Sequence, residues 1–220
     1  MDFSIETPQG LFEPSVVIVA GFTGRDRDAV RAHIAELEAE GIPCPREVPV
    51  FYRFPPWILT TGSEVHVAGE NTSGEAEIAL VVHRGRRYVT LASDHTDRDV
   101  ESVDIWASKH VCPKVLATEL WSLDSVVGHW DRLRLRSRIG AGERYQDGSA
   151  AELLEPMELL ARLGADGAPD SFVMLCGTVP AIGGIRPSDH FTAGLEDPVT
   201  GRRIDLSYEV EVVGRESGSR

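Results

Sequence analysis

Basic residues are scarce in this chain of 220: Lys and Arg number 22 against 35 Asp and Glu, a formal net charge of −13. With no basic excess to displace phosphate counterions, nucleic acid is not an expected partner, nor is an anionic membrane surface. Cysteine is nearly absent. Cys44, Cys112 and Cys176 are odd in number and widely spaced, which argues against a disulfide framework or a cysteine zinc site and favours a reducing cytoplasm. No apolar run approaches the ~20 residues of a membrane-spanning helix. The opening Met1-Asp2-Phe3-Ser4-Ile5-Glu6 lacks the basic-then-apolar profile of a signal peptide. Internal repeats and low-complexity tracts are also missing. The remaining composition, 42% hydrophobic and 26% charged, is that of a globular protein able to bury a sizeable core.

The strongest positive feature is Glu75-Ala76-Glu77 at the head of the apolar run Ile78-Ala79-Leu80-Val81-Val82. The run is short and rich in β-branched residues, so it reads as a buried strand. Alternation puts Glu75 and Glu77 on one face. Two like charges entering a buried strand need positive compensation or protonation, and a divalent cation is the simplest answer. Beyond Val82, Gly85-Arg86 suits a two-residue hairpin turn leading into Tyr88–Asp94. That register sets Leu80 opposite Leu91 and Glu77 opposite Asp94, so Asp94 completes a three-carboxylate set. An all-oxygen set suits Mg²⁺, Mn²⁺ or Ca²⁺ rather than zinc. The alternative is a solvated edge strand with an acidic outer face.

Elsewhere, strands are expected at Ser15–Phe22, Glu64–Ala68, Leu133–Ile139, Ser171–Thr178, Phe191–Leu195 and Ile204–Val213. The arginines of Leu133–Ile139 alternate outward, and a solvated basic face is expected there rather than pairing with acidic neighbours. Helices are expected from Thr23 or Asp26 to about Glu40, with Val30, Ile34 and Leu37 as the apolar stripe, and at Asp97–His110, Asp124–Trp130 and Ala151–Leu163. The proline-punctuated stretch from Pro43 to Pro56 reads as irregular, and Gly140–Ser149 as a turn-rich connection. Residues 1–60 form an N-terminal strand–helix and Pro-rich segment, 61–213 a metal-binding core and 214–220 a frayed tail, together one domain.

Several strings, in order, resemble the fumarylacetoacetate hydrolase superfamily, as a separate branch of it. Ser93-Asp94-His95-Thr96-Asp97-Arg98-Asp99-Val100-Glu101 is similar to its Asn-Asp-x-Ser-Ala-Arg-Asp-x-Gln signature. Ser108-Lys109 with Cys112-Pro113 resembles a shortened Lys-Ser-Phe-Asp-x-Phe-Cys-Pro segment. Leu133 to Gln146 and Gly148 resemble its Leu-x-Leu-x-Val-Asn-Gly-x-x-x-Gln-x-Gly run. Cys176-Gly177-Thr178-Val179-Pro180 with Gly183-Gly184 resembles its Thr-Gly-Thr-Pro-x-Gly loop, and Arg186-Pro187-Ser188-Asp189 its Pro-Gly-Asp stretch. Ser93, Asp97, Glu101 and Cys176 depart from the pattern. The extra charges of Asp97 and Glu101 weigh against doubly anionic substrates.

The resemblance implies an α+β fold, a mixed β roll with barrel-like sheets and flanking helices, usually in a homodimer. It implies a divalent metal on Glu75, Glu77 and Asp94, the same three that the hairpin selects. It also implies an enzyme that hydrolyses, cleaves, decarboxylates, hydrates or isomerises a small 2-oxo or diketo acid, with enolate charge stabilised by a Lewis acid. Lys109 would contact substrate, with Arg98, Gly177 and Thr178 as further substrate-side residues, Arg98 more as a buttress to a ligand carboxylate. His33-Ile34-Ala35-Glu36 matches a His-x-x-Glu pair that serves as the water-activating base in many members. On an amphipathic helix the same spacing also arises without function. His95 is a second candidate base, with alternation pointing it to the other face. The competing reading is a binding protein that kept the fold and lost the chemistry.

Overall fold

A computed structural model describes residues 3–39, 41–164 and 169–214. Two β-sheets organise it. The larger has eight strands, seven of them in the spatial order Val50–Phe54, Val16–Gly21, Ser171–Thr178, Ala76–His83, Arg86–Asp94, Lys114–Leu116 and Leu59–Thr60. Trp121–Ser122 pairs beside them on Arg86–Asp94. The sheet is mixed: Ser171–Thr178 runs parallel to Val16–Gly21 and antiparallel to Ala76–His83. The smaller sheet has five strands in the order Glu143–Ser149, Arg134–Ile139, His190–Asp197, Arg202–Val212 and Glu64–Val67.

The two patterning styles of the sequence follow from what covers each sheet. The larger is buried on both faces. Ile78, Leu80, Val89 and Leu91 meet Leu135, Leu195, Ile204 and Tyr208 of the smaller sheet in one core. Val17, Val19, Ala79, Val81, Val173 and Leu175 form a second core on the other face with Phe54 and Ile58. Strands covered on both sides read as solid apolar runs. Each fully buried Val, Leu, Ile or Phe among them contributes roughly 1.5–3 kcal/mol. The smaller sheet buries one face only, so its strands alternate. Arg134, Arg136 and Arg138 point out between buried Leu135, Ser137 and Ile139. They are not merely solvated: Arg134 and Arg136 both reach Asp147, at 2.9 and 3.1 Å, and Arg136 reaches Glu196 at 2.5 Å.

Among the described residues, four α-helices flank the sheets: α1 (Arg27–Ala39), α2 (Arg98–Glu101), α3 (Ile105–His110) and α4 (Pro156–Leu163). In α1 no residue is fully buried, and Val30, Ile34 and Leu37 are the half-buried ones, which is the expected stripe. The end expected at Glu40 falls outside the described residues, as does all but the first residue of the 214–220 tail. Asp97–His110 is two short helices, because the Asp104 carboxylate accepts the amide of Ala107 at 3.0 Å and starts a new one. The helix expected from Ala151 begins only at Pro156, which occupies its first turn. Asp124–Trp130 forms 3₁₀ turns.

Three strands of three or more residues lie where none was expected. Val50–Phe54 pairs with Val16–Gly21 inside the region read as irregular. Lys114–Leu116 pairs with Arg86–Asp94. Glu143–Ser149 is a strand paired with Arg134–Ile139, not a connection. The hairpin turn is Arg84-Gly85, both with positive φ (48° and 75°), and not Gly85-Arg86. A type I′ turn needs positive φ at both central residues and matches the twist of the strands. His83 therefore pairs with Arg86, Leu80 with Val89 and Glu77 with Ala92. The register differs by two residues from the expected one. Two is the side-chain period, so every residue keeps its face.

Candidate functional site

Glu77 is the first carboxylate buried at the end of the Ala76–His83 strand, and the amide of Gly177 donates to its Oε2 at 2.7 Å. That loop conformation needs glycine. Gly177 has φ +99°, and a Cβ there would run into the Thr23 side chain. Gln146 locks the base of the arrangement. Its Oε1 accepts the Ala76 amide at 2.9 Å and the Ser137 hydroxyl at 2.7 Å, while its Nε2 donates to the Thr178 hydroxyl at 2.6 Å and the Val179 carbonyl at 2.7 Å. Thr178 in turn donates to the Ala76 carbonyl at 2.8 Å. One buried side chain thus ties the Glu75–Glu77 entry to the Gly177–Thr178 loop.

The Asp94 amide donates to the Glu75 carbonyl at 2.9 Å, so these two residues sit across from one another. Asp94 is fully buried between two ammonium groups, Lys109 at 2.5 Å from one oxygen and Lys114 at 2.8 Å from the other. Lys109 comes from α3. Lys114 comes from the neighbouring strand, where the ladder pairs it directly with Asp94, and it also donates to the His95 carbonyl at 2.5 Å. Glu75 is held by Arg98 at 3.2 Å, and Arg98 also reaches Glu101 at 2.7 Å and the Ser73 hydroxyl at 2.7 Å. His95 faces away from the carboxylates. Its ring nitrogens sit 2.9 Å from the Tyr208 and Thr72 hydroxyls, and burial, reinforced by Lys114 and Arg98, lowers its pKa to about 3.

The electrostatics separate the carboxylates. Burial alone would raise the Asp94 carboxyl, but the ammoniums of Lys109 and then Lys114 hold it well below the usual carboxylate range. Glu77 takes part in none of the ion pairs that hold Asp94 and Glu75. Burial, then the neighbouring Asp94, pushes it well above its ordinary value. Burial disfavours charge on Lys109, yet Asp94, Glu75, Glu101 and Glu77 together raise its pKa. Lys114 is lowered by burial, with Asp94 opposing.

Of the residues expected at the site, the structure gathers Asp94 with Lys109, Glu75 with Arg98, and Glu77 with Gly177. The Thr178 hydroxyl is engaged by Gln146 and Ala76. His33 and Glu36 lie on exposed faces of α1, 3.7 Å apart, with side chains 61% and 75% exposed. Among the described residues, no hydrogen bond or ion pair joins them to the buried cluster. Lys114 and Gln146 are the positions that sequence reading did not single out. A lysine directly after Cys112-Pro113 and opening an apolar strand was the available signal for the first. A cation fits this site on the chemistry of its donors, three oxygen-bearing side chains on one face, and on Glu77, a buried carboxylate without a cationic partner. A different trio, Glu64, His66 and Glu211, is the one among the described residues whose ligand atoms lie within 4.8 Å of one another, and it is exposed.

No helix among the described residues is long and apolar enough to cross a membrane. The sequence matches the family described as Protein of unknown function (DUF2848) over residues 20–208. No curated protein matches the chain. Solved structures do. A fumarylacetoacetate hydrolase family protein of yeast is 20% identical at a TM-score of 0.58, covering 94% of this chain and 97% of its own. Fumarylacetoacetate hydrolase from Exiguobacterium antarcticum is 17% identical at 0.60, covering 92% and 78%. A 2-keto-3-deoxy-D-arabinonate dehydratase complexed with magnesium and 2,5-dioxopentanoate is 16% identical at 0.64, covering 94% and 75%. The fold is the α+β fold of the fumarylacetoacetate hydrolase family, as the sequence motifs imply.

Proposed function

The chain belongs to the DUF2848 family, and from that premise we propose that it is a divalent-metal-dependent enzyme acting on a small 2-oxo or diketo acid, by hydrolytic or lytic C–C cleavage. The observation that carries this reading is the set of half-buried Glu75 with buried Glu77 and Asp94, and Lys109 at its side. The magnesium and dioxo ligand of the structurally similar dehydratase support it. Glu75, Glu77 and Asp94 would hold Mg²⁺ or a similar ion, which supplies Lewis acidity to the oxygens of an oxo acid.

The chain's own groups divide the remaining work. Lys114 is fully buried, paired with Asp94 and bonded to the His95 carbonyl, so it fixes the Asp94 carboxylate and has no exposure to meet a substrate. Lys109 spends one donor on Asp94, and its side chain remains 10% exposed. An ammonium has three donors. Lys109 can therefore also meet a substrate carboxylate or a developing enolate oxygen, a contact that strengthens as charge grows. Arg98 orients Glu75 through their ion pair. Gly177 aims Glu77.

Lys109→Ala tests the assignment. Turnover of a cleaved 2-oxo acid is expected to fall about 10²-fold or more while circular dichroism stays native. Unchanged turnover would place Lys109 outside the chemistry. Binding of Mg²⁺ and oxalate without turnover of any 2-oxo acid would favour the binding-protein reading.

A further inference from the structure

Trp57 and Trp106 are 54% and 42% exposed, yet they are not scattered surface rings. Trp106 stacks on Phe54, centroids 5.9 Å apart and planes 13° from parallel. The His110 ring lies 4.9 Å from Trp106, 5.3 Å from Trp57 and 5.8 Å from Phe54. Trp106 Nε1 is anchored on the Arg53 carbonyl at 3.4 Å. Helix α3 links the patch to the site. Trp106 and Lys109 are three residues apart on α3 and so are neighbours on its surface. Phe54 and Tyr52 share a face of their strand, and both pack with the second core. Burial raises the Tyr52 hydroxyl, and the Lys109 ammonium, close enough to act on it, counters that. An exposed aromatic surface joined to a polar site is the form of a ligand pocket's apolar wall.

Resting on the function proposed above, we infer that the substrate is a 2-oxo acid with one carboxylate and a flat apolar tail, the tail lying against Trp106 and Trp57. The charge of the site selects the head group. Four carboxylates act on Lys109, those of Asp94, Glu75, Glu101 and Glu77, and three cations stand with them, Arg98, Lys109 and Lys114. With Glu77 deprotonated against the cation, a divalent ion brings the group to one positive charge, which a single carboxylate balances. A second carboxylate would meet Glu101 without a free cation among these residues. The rings select the tail, because planar groups stack on tryptophan and lose apolar area to it.

The test uses the full chain with saturating Mg²⁺ and reads tryptophan fluorescence and calorimetric affinity for oxalate, pyruvate, oxaloacetate and phenylpyruvate. Phenylpyruvate is expected to quench the fluorescence and to bind at least about 10-fold more tightly than pyruvate, with oxaloacetate weaker than phenylpyruvate. In Trp106→Ala, whose exposed ring is not needed for the core, the phenylpyruvate-to-pyruvate ratio should fall towards one. Trp57→Ala should lower the same ratio. Equal affinities in the wild type, or a ratio that survives both substitutions, overturns the inference while oxalate binding leaves the proposed function standing. A changed sedimentation mass in Trp106→Ala with the ratio intact would give the rings to a second copy of the chain and overturn it as well. Failure of oxalate itself to bind with Mg²⁺ is the distinct result that counts against the underlying function.

Discussion

Asp94 sits between two ammonium groups, and Glu77 in the same cluster faces a backbone amide. At the residue scale this asymmetry makes Asp94 the keystone. Asp94→Ala would leave Lys109 and Lys114 buried without their partner. A broken buried pair typically costs about 3–5 kcal/mol, so the urea midpoint is expected to fall accordingly. A midpoint within error of wild type would mean that the lysines turn to solvent. The three carboxylates stood out in the sequence because charges at the mouth of apolar strands are costly, whereas Lys109, on a helix, was marked only by the resemblance of Ser108-Lys109 to a family segment. Lys114 was harder to see, since its burial depends on a ladder pairing with Asp94 that only the fold supplies. Gln146 stood in a family-like run, but its role was hidden for the same reason: its four bonds join segments remote in sequence.

At the scale of elements, the acidic hairpin shows why a wrong register still selected the right face. The turn slipped to Arg84-Gly85, and pairing moved by two residues, a full side-chain period. Gly85 holds φ +75° in that turn. A β-branched residue there is strained in the left-handed region by roughly 1–2 kcal/mol, so Gly85→Val is expected to lower the thermal midpoint with the carboxylate cluster intact. No loss would show that the turn relaxes to another type. The strands covered on both faces read cleanly as runs, and those of the smaller sheet as alternations. The helices read less well. Asp104 and Pro156 reset their starts, and the spacing of His33 and Glu36 looks the same whether it serves chemistry or an exposed ion pair. Val50–Phe54 was obscured by the prolines around it.

For the whole molecule, the acidic balance has a consequence for stability. Asp197 is buried at the end of the His190–Asp197 strand. Burial would raise it, but bonds from the Thr200 hydroxyl, His129 and Arg202 hold it well below the ordinary value. Asp147, on the smaller sheet, is likewise held down against burial by Arg134 and Arg136. A carboxyl whose folded pKa lies below its unfolded value of about 4 adds stability above that pH. The gain is lost as pH falls through the folded value. Chemical denaturation between about pH 5 and pH 2 should therefore show falling stability, and Asp197→Asn should be less stable at neutral pH with a shallower decline. Parallel profiles for the two proteins would contradict this role.

The central claim, a divalent cation held by Glu75, Glu77 and Asp94, is tested most directly by calorimetric titration of the full chain with Mn²⁺. His66→Ala serves as the background, so that the exposed Glu64, His66 and Glu211 trio cannot supply the signal. The account predicts one site per chain, retained in His66→Ala and lost when Glu77→Gln is added. Heats that vanish in His66→Ala, or that persist unchanged through Glu77→Gln, would contradict it.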